Sequence, residues 1–132
     1  MLSSPIVIFL LYSAIVDRVV ADILRMQVTE HPPDTRIVIV TGELDALTAP
    51  AVAAVLTDTL AVAQVVVVNL DGVQYLASAG LRVLIEAKYH AAEKGSDLQL
   101  VCHSPSANRV LDGSGLREHF NFADSVPIAL GQ

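Results

Sequence analysis

Ser78 is the residue of this chain whose surroundings most invite chemistry. It stands in "YLASAGLRVLI" (Tyr75 to Ile85), between Ala77 and Ala79 and two residues ahead of Gly80, where a strand-like run turns into a helical pattern. A serine so placed can cap the helix by accepting from its first amides. It can attack a substrate, or it can receive a phosphate beside the positive end of the helix dipole. Attack fails on the motif: a nucleophile elbow needs glycine two residues to either side, and position 76 is leucine. No histidine or acid has a claim to a triad, and there is no glycine-rich phosphate loop of the Walker type. Independent catalysis is therefore not expected. Capping and phosphate acceptance are compatible, and both stay open.

Other candidate groups lie nearby in the sequence. "TGELDALTAP" (Thr41 to Pro50) reads as a loop after a strand, with Glu43 and Asp45 either solvated or in contact with a partner. Gly42 serves the turn out of the strand. Gly80 either lets the helix start approach the neighbouring loop or marks a tight turn. Arg82 and Glu86 fall one and two turns after Ser78, so they share its exposed edge and are docking candidates. The single cysteine, Cys102, cannot form an internal disulfide, which points to a reducing compartment. In "LQLVCHS" it reads as a small buried apolar residue at a strand end. His31, His90, His103 and His119 show no ligand spacing, so no metal site is expected.

Alternating elements position these groups. Residues 23–30 alternate apolar and polar as a half-buried strand does, and "HPPD" turns the chain into a second strand over 36–42. Thr48 is placed to cap a helix with Pro50 in its first turn and Val52, Val55, Leu56 and Leu60 on one face over 51–63. "QVVVVNL" (Gln64 to Leu70) suits an inner strand covered on both sides, and "DGVQYLAS" carries the chain on to Ser78. Leu81, Leu84, Ala87 and Ala91 mark a helix over 79–94 stopped by Gly95. A strand over 97–102 follows. Ser104 and Pro105 then start another helix, and "FNFAD" forms a last short strand. The tail, interrupted by Pro127, predicts no helix. The pattern is α/β: one domain with a mostly parallel central sheet of four to five strands, an N-terminal hairpin-paired strand, and three or more helices.

The chain has 132 residues, 53% of them apolar but only 5% aromatic, so one core of Val, Leu, Ile and Ala is expected. Fourteen acids against eight Lys and Arg give a net charge of −6, which argues against nucleic acid as a partner. Residues 1–23 form an apolar extension ahead of the domain at 24–132. "PIVIFLLYSAIV" (Pro5 to Val16) would span roughly 18 Å as a helix, short of a ~30 Å hydrocarbon core, and no Lys or Arg precedes it as a secretory signal requires. It reads as a packed extra helix, a weak membrane-surface anchor, or sequence upstream of a native start near Val19, Val20 or Met26. A spanning helix is disfavoured, and membrane contact is not expected of the domain.

"TGELDALTAP", "VVVVNLDGV" (Val65 to Val73) and "YLASAGLRVL" (Tyr75 to Leu84), in this order and spacing, resemble the STAS domain, and more narrowly bacterial anti-sigma factor antagonists. The resemblance covers roughly residues 24 to 126. It implies a cytoplasmic binding module that engages an ATP-dependent anti-sigma factor serine kinase and so frees the sigma factor. Phosphorylation at the position of Ser78 would block that binding, and a phosphatase would restore it. No cofactor is implied for the chain itself; ATP belongs to the kinase. The partner surface would include Glu43, Asp45, Ala77, Ala79, Gly80, Arg82 and Glu86. Many family members carry Asp before the serine and Ser or Thr after it, where this chain has alanines. The family also includes unphosphorylated binding modules, such as subunits of lipid-trafficking ABC transporters, and that alternative remains.

Overall fold

The computed structural model describes residues 20–131. The apolar stretch at 5–16 lies outside the described residues. The hairpin expected at the start is present: Leu24–His31 (β1) and Thr35–Leu44 (β2) pair antiparallel, from Leu24 opposite Gly42 to His31 opposite Thr35. The remaining strands, Val65–Leu76 (β3), Asp97–Val101 (β4) and Asn121–Phe122 (β5), add in parallel, and the sheet runs β1-β2-β3-β4-β5. Ala49–Val62 (α1), Ser78–Lys94 (α2) and Pro105–Ser114 (α3) make the crossovers, and a short helix, Val126–Ala129 (α4), follows β5.

Burial explains the unbroken valine run. Val66 and Val68 of β3 join Val38, Val40, Leu98 and Leu100 beneath Val52, Leu56 and Leu60 of α1, Leu81 and Leu84 of α2, and Leu111 of α3. Val67 faces the other way and packs with Ile37 and Val101 under Val126, Ala129 and Leu130. A parallel strand covered on both sides has no polar face to display. The C-terminal helix departs from expectation. Ser125 caps it by accepting from the Ile128 amide, and Pro127 sits in the first turn, where its missing N–H costs nothing. A proline counted against a helix is here part of its start.

Gly95 ends α2 as expected. It adopts φ 73°, and the Ser96 amide reaches back to the Ala91 carbonyl at 2.8 Å, closing the helix in a Schellman pattern. Gly42 does not turn the chain out of β2. It lies within the strand at φ 105°, opposite Leu24, at a register shift, and a side chain there would strike the Ile23 carbonyl. The left-handed φ and the close approach both require glycine.

Candidate functional site

Strand β3 reaches further than its hydrophobic pattern implies. Beside β2 its register steps from Ile39–Asn69 to Thr41–Gly72, and again from Gly42–Val73 to Glu43–Tyr75. Each step inserts one extra residue into β3, as a β-bulge does. The inward positions become Leu70, Val73 and Leu76, at threes rather than twos. "DGVQYL" thus remains strand while losing alternation, and it delivers the chain to Ala77 beside the end of β2.

At that point the helix start is fixed to the neighbouring strand. The Ala77 amide donates to the Leu44 carbonyl at 2.9 Å. Gly80 is buried, and a Cβ on it would come within 2.5 Å of Leu44 Cγ and 2.8 Å of the Leu44 carbonyl oxygen. Gly80 therefore seats the start of the helix on Leu44. The capping position belongs to Ala77, extended at φ −94° and ψ 169°, and no side chain caps α2. Ser78 is the first helical residue. It is exposed, and its hydroxyl engages no partner among the described residues. The expectation that Ser78 caps the helix is corrected: one residue of offset leaves its oxygen unused.

The loop before α1 is the opposite case. Thr48 occupies the capping position, yet its hydroxyl does not cap; it donates to the Glu43 carbonyl and accepts from the Asp45 amide, each at 2.9 Å. Asp45 Oδ1 accepts from the Leu47 and Thr48 amides at 3.0 and 3.1 Å, and the Asp45 carbonyl takes the Ala49 amide at 2.8 Å. Asp45 is half-buried and organises the loop rather than dangling in solvent. Pro50, in the first turn of α1, has no N–H to satisfy. Glu43 is exposed and lies across from Tyr75 in the β2–β3 register.

Between the starts of α1 and α2 runs a groove of about 610 Å³, lined by Ala46, Ala49 and Pro50 on one side and Ser78, Ala79, Arg82, Val83 and Glu86 on the other. Arg82 and Glu86 pair at 3.0 Å on the exposed rim, a spacing of one turn. Four of the anticipated residues, Ser78, Ala79, Arg82 and Glu86, thus share one concave surface. Sequence reasoning did not single out the α1 wall of the groove, Ala46, Ala49 and Pro50. Cys102 lies off this surface at the end of β4. It is half-buried rather than fully so, and burial pushes its thiol up from the ordinary value, which keeps it protonated near neutrality.

Residues 26–129 match the STAS domain family. The chain belongs to that family. No curated protein matches it. Among solved structures it is similar to an anti-sigma factor antagonist from Mycobacterium paratuberculosis, with TM-score 0.74 and 28% identity over 83% of this chain and 93% of that one. It is also similar to the anti-sigma factor antagonist SpoIIAA in its unphosphorylated form, with TM-score 0.68 and 18% identity over 80% of this chain and 93% of the other. The phosphorylated form of SpoIIAA from Bacillus gives TM-score 0.64 and 17% identity over 81% and 97%. At these lower identities the SpoIIAA likeness concerns the fold. Among the described residues no helix is long and apolar enough to cross a membrane.

Proposed function

We propose that this STAS domain is a cytoplasmic anti-sigma factor antagonist. In this reading it binds a kinase-type anti-sigma factor over the α1–α2 groove and is switched off by phosphorylation of Ser78. The observation that carries the reading is the free, exposed hydroxyl of Ser78 at the rim of the groove. The similarity to the Mycobacterium paratuberculosis antagonist supports the partner class. The Ser78 oxygen attacks the γ-phosphorus of ATP, the bond to the ADP leaving group breaks, and the hydroxyl proton passes to a base on the kinase. The chain is the substrate of an enzyme and supplies no catalytic group of its own. Among the described residues the amides of Ser78 and Ala79 donate to nothing, so the helix start can hold the added phosphate without unfolding. A phosphate there adds close to two negative charges at a contact surface that already carries Glu86. A phosphatase acting on Ser78 resets the switch.

The test is a pull-down from the native host with wild type, Ser78→Ala and Ser78→Glu as baits, read by mass spectrometry. Wild type and Ser78→Ala retain an ATP-binding anti-sigma factor, Ser78→Glu loses it, and part of the wild type carries phosphate on Ser78. Identical prey for all three baits with no phosphate would sink the switch, and recovery of an ABC ATPase would establish a transporter-associated module instead.

A further inference from the structure

The segment that presents Ser78 lacks a strand on one side. β4 pairs with β3 only from Val65–Asp97 to Asn69–Val101. From Leu70 to Leu76 the β3 edge away from β2 has no ladder partner among the described residues, although this is the stretch carrying both bulges. The turn from β4 into α3 fills the gap with side-chain bonds. Asp71 Oδ1 accepts from the His103 amide at 2.8 Å, and the His103 ring Nδ1 lies 2.9 Å from the same oxygen, donating when it carries the proton. Next along, the Ser104 hydroxyl donates to the Val73 carbonyl at 2.5 Å. Asp71 is itself held in the bulge, because its amide donates to Asn69 Oδ1 at 2.9 Å.

We propose that Asp71, gripped by His103, is a positioning residue for Ser78: it latches the bulged end of β3 to the β4–α3 turn and so holds the start of α2 in register. The reason lies in what a bulge costs. An inserted residue leaves backbone groups unpaired and lets the strand bend. Here two insertions occur between Asn69 and Tyr75, just ahead of the helix start at Ser78, and the β2 side alone must otherwise fix them. A carboxylate on the open edge substitutes for the missing ladder at the first insertion, and Ser104 does so just beyond it. The direction of the chain at Leu76, and with it the place of the Ser78 oxygen, follows from that latch. A displacement of about an ångström at an acceptor oxygen is enough to slow transfer markedly.

The positioning role rests on Ser78 being the phosphate acceptor; the latch itself does not. Two measurements separate them. Amide hydrogen exchange compares wild type, Asp71→Ala and Asp71→Asn. In Asp71→Ala the amides from Gly72 to Ala77 exchange about tenfold faster while those of Val66 to Val68 are unchanged, and Asp71→Asn, which keeps an acceptor oxygen, recovers most of the protection. Unchanged exchange in Asp71→Ala, or an equal rise throughout the sheet, overturns the latch. The same variants are then given to the cognate anti-sigma kinase. Asp71→Ala loses roughly tenfold in the rate of Ser78 phosphorylation at saturating substrate with Asp71→Asn near wild type; an unaltered rate overturns the positioning role. If wild type takes no phosphate at all, the functional reading fails, while the exchange result still decides whether the latch exists.

Discussion

Two serines, Ser78 and Ser104, each follow a parallel strand and stand at the start of a helix. Ser104 is 3% exposed, donates to the Val73 carbonyl at 2.5 Å and accepts from the Ala107 amide at 3.1 Å. Ser78 is exposed, sits one position later relative to its helix, and spends its hydroxyl on nothing among the described residues. The difference is one residue of phase. At the capping position the side chain is in reach of the helix amides and is absorbed into the fold. At the first helical position it points away from them and is left for an outside partner. The loop before α1 repeats the first pattern, where Thr48 and Asp45 satisfy each other and the backbone. The start of α2 keeps the Ser78 hydroxyl and its first amides open among the described residues.

If the contrast holds, removing the Ser104 hydroxyl has the largest effect on stability. Ser104→Ala strips the cap from α3 and leaves the buried Val73 carbonyl without a donor. Loss of a cap together with an orphaned buried acceptor costs about 3 kcal/mol. For a domain of this size that lowers the melting temperature by roughly 10 °C. A Ser104→Ala protein melting within two or three degrees of wild type, on the same scale, would show that water or a shifted side chain replaces the bonds and that Ser104 is no more committed than Ser78.

The same contrast explains what the sequence made legible. Strand and helix order, the doubly covered valine run, the buried face of α2 and the Ser104–Pro105 helix start all follow from local patterns that the tertiary structure reinforces. The end of β3 was hidden because two bulges convert a period of two into a spacing of three, and "DGVQYL" then resembles a loop. The phase of α2 was hidden for a related reason. Serine favours caps and alanine does not, so propensity places the cap at Ser78, whereas the bond from the Ala77 amide to the Leu44 carbonyl and the seat of Gly80 on Leu44 set it one residue earlier. Tertiary contacts outweighed a local preference of about 1 kcal/mol. Of the candidate site, the groove residues on α2 could be read from helical spacing. The α1 wall, Ala46, Ala49 and Pro50, could not, because only the folded loop brings it to Ser78.

A smaller effect sharpens the contrast from the other side. Ala77 already has the extended backbone of a cap, φ −94° and ψ 169°, but no oxygen to offer. Ala77→Asp supplies a carboxylate within reach of the open Ala79 amide, at the positive end of the helix. Caps of this kind contribute about 1 kcal/mol, a rise of roughly 4 °C in melting temperature. No rise would mean that the first turn of α2 already has its donors satisfied, contrary to the open amides described above.

The smallest effect on the fold is expected at Ser78 itself, and it is the most telling. A cap lost from α2 would cost about as much as one lost from any helix, so a capping Ser78 would make Ser78→Ala destabilising by about 1 kcal/mol. As the exposed first helical residue with an unengaged hydroxyl, it should instead leave stability within about 0.5 kcal/mol of wild type while removing the only oxygen at this position that a kinase can use. Chemical denaturation of Ser78→Ala beside Ser104→Ala measures both in one experiment. A large loss at Ser104 and none at Ser78 means that the fold owns one serine and leaves the other to a partner. Equal losses would return Ser78 to the capping role that its sequence suggests and take away the structural ground for a switch.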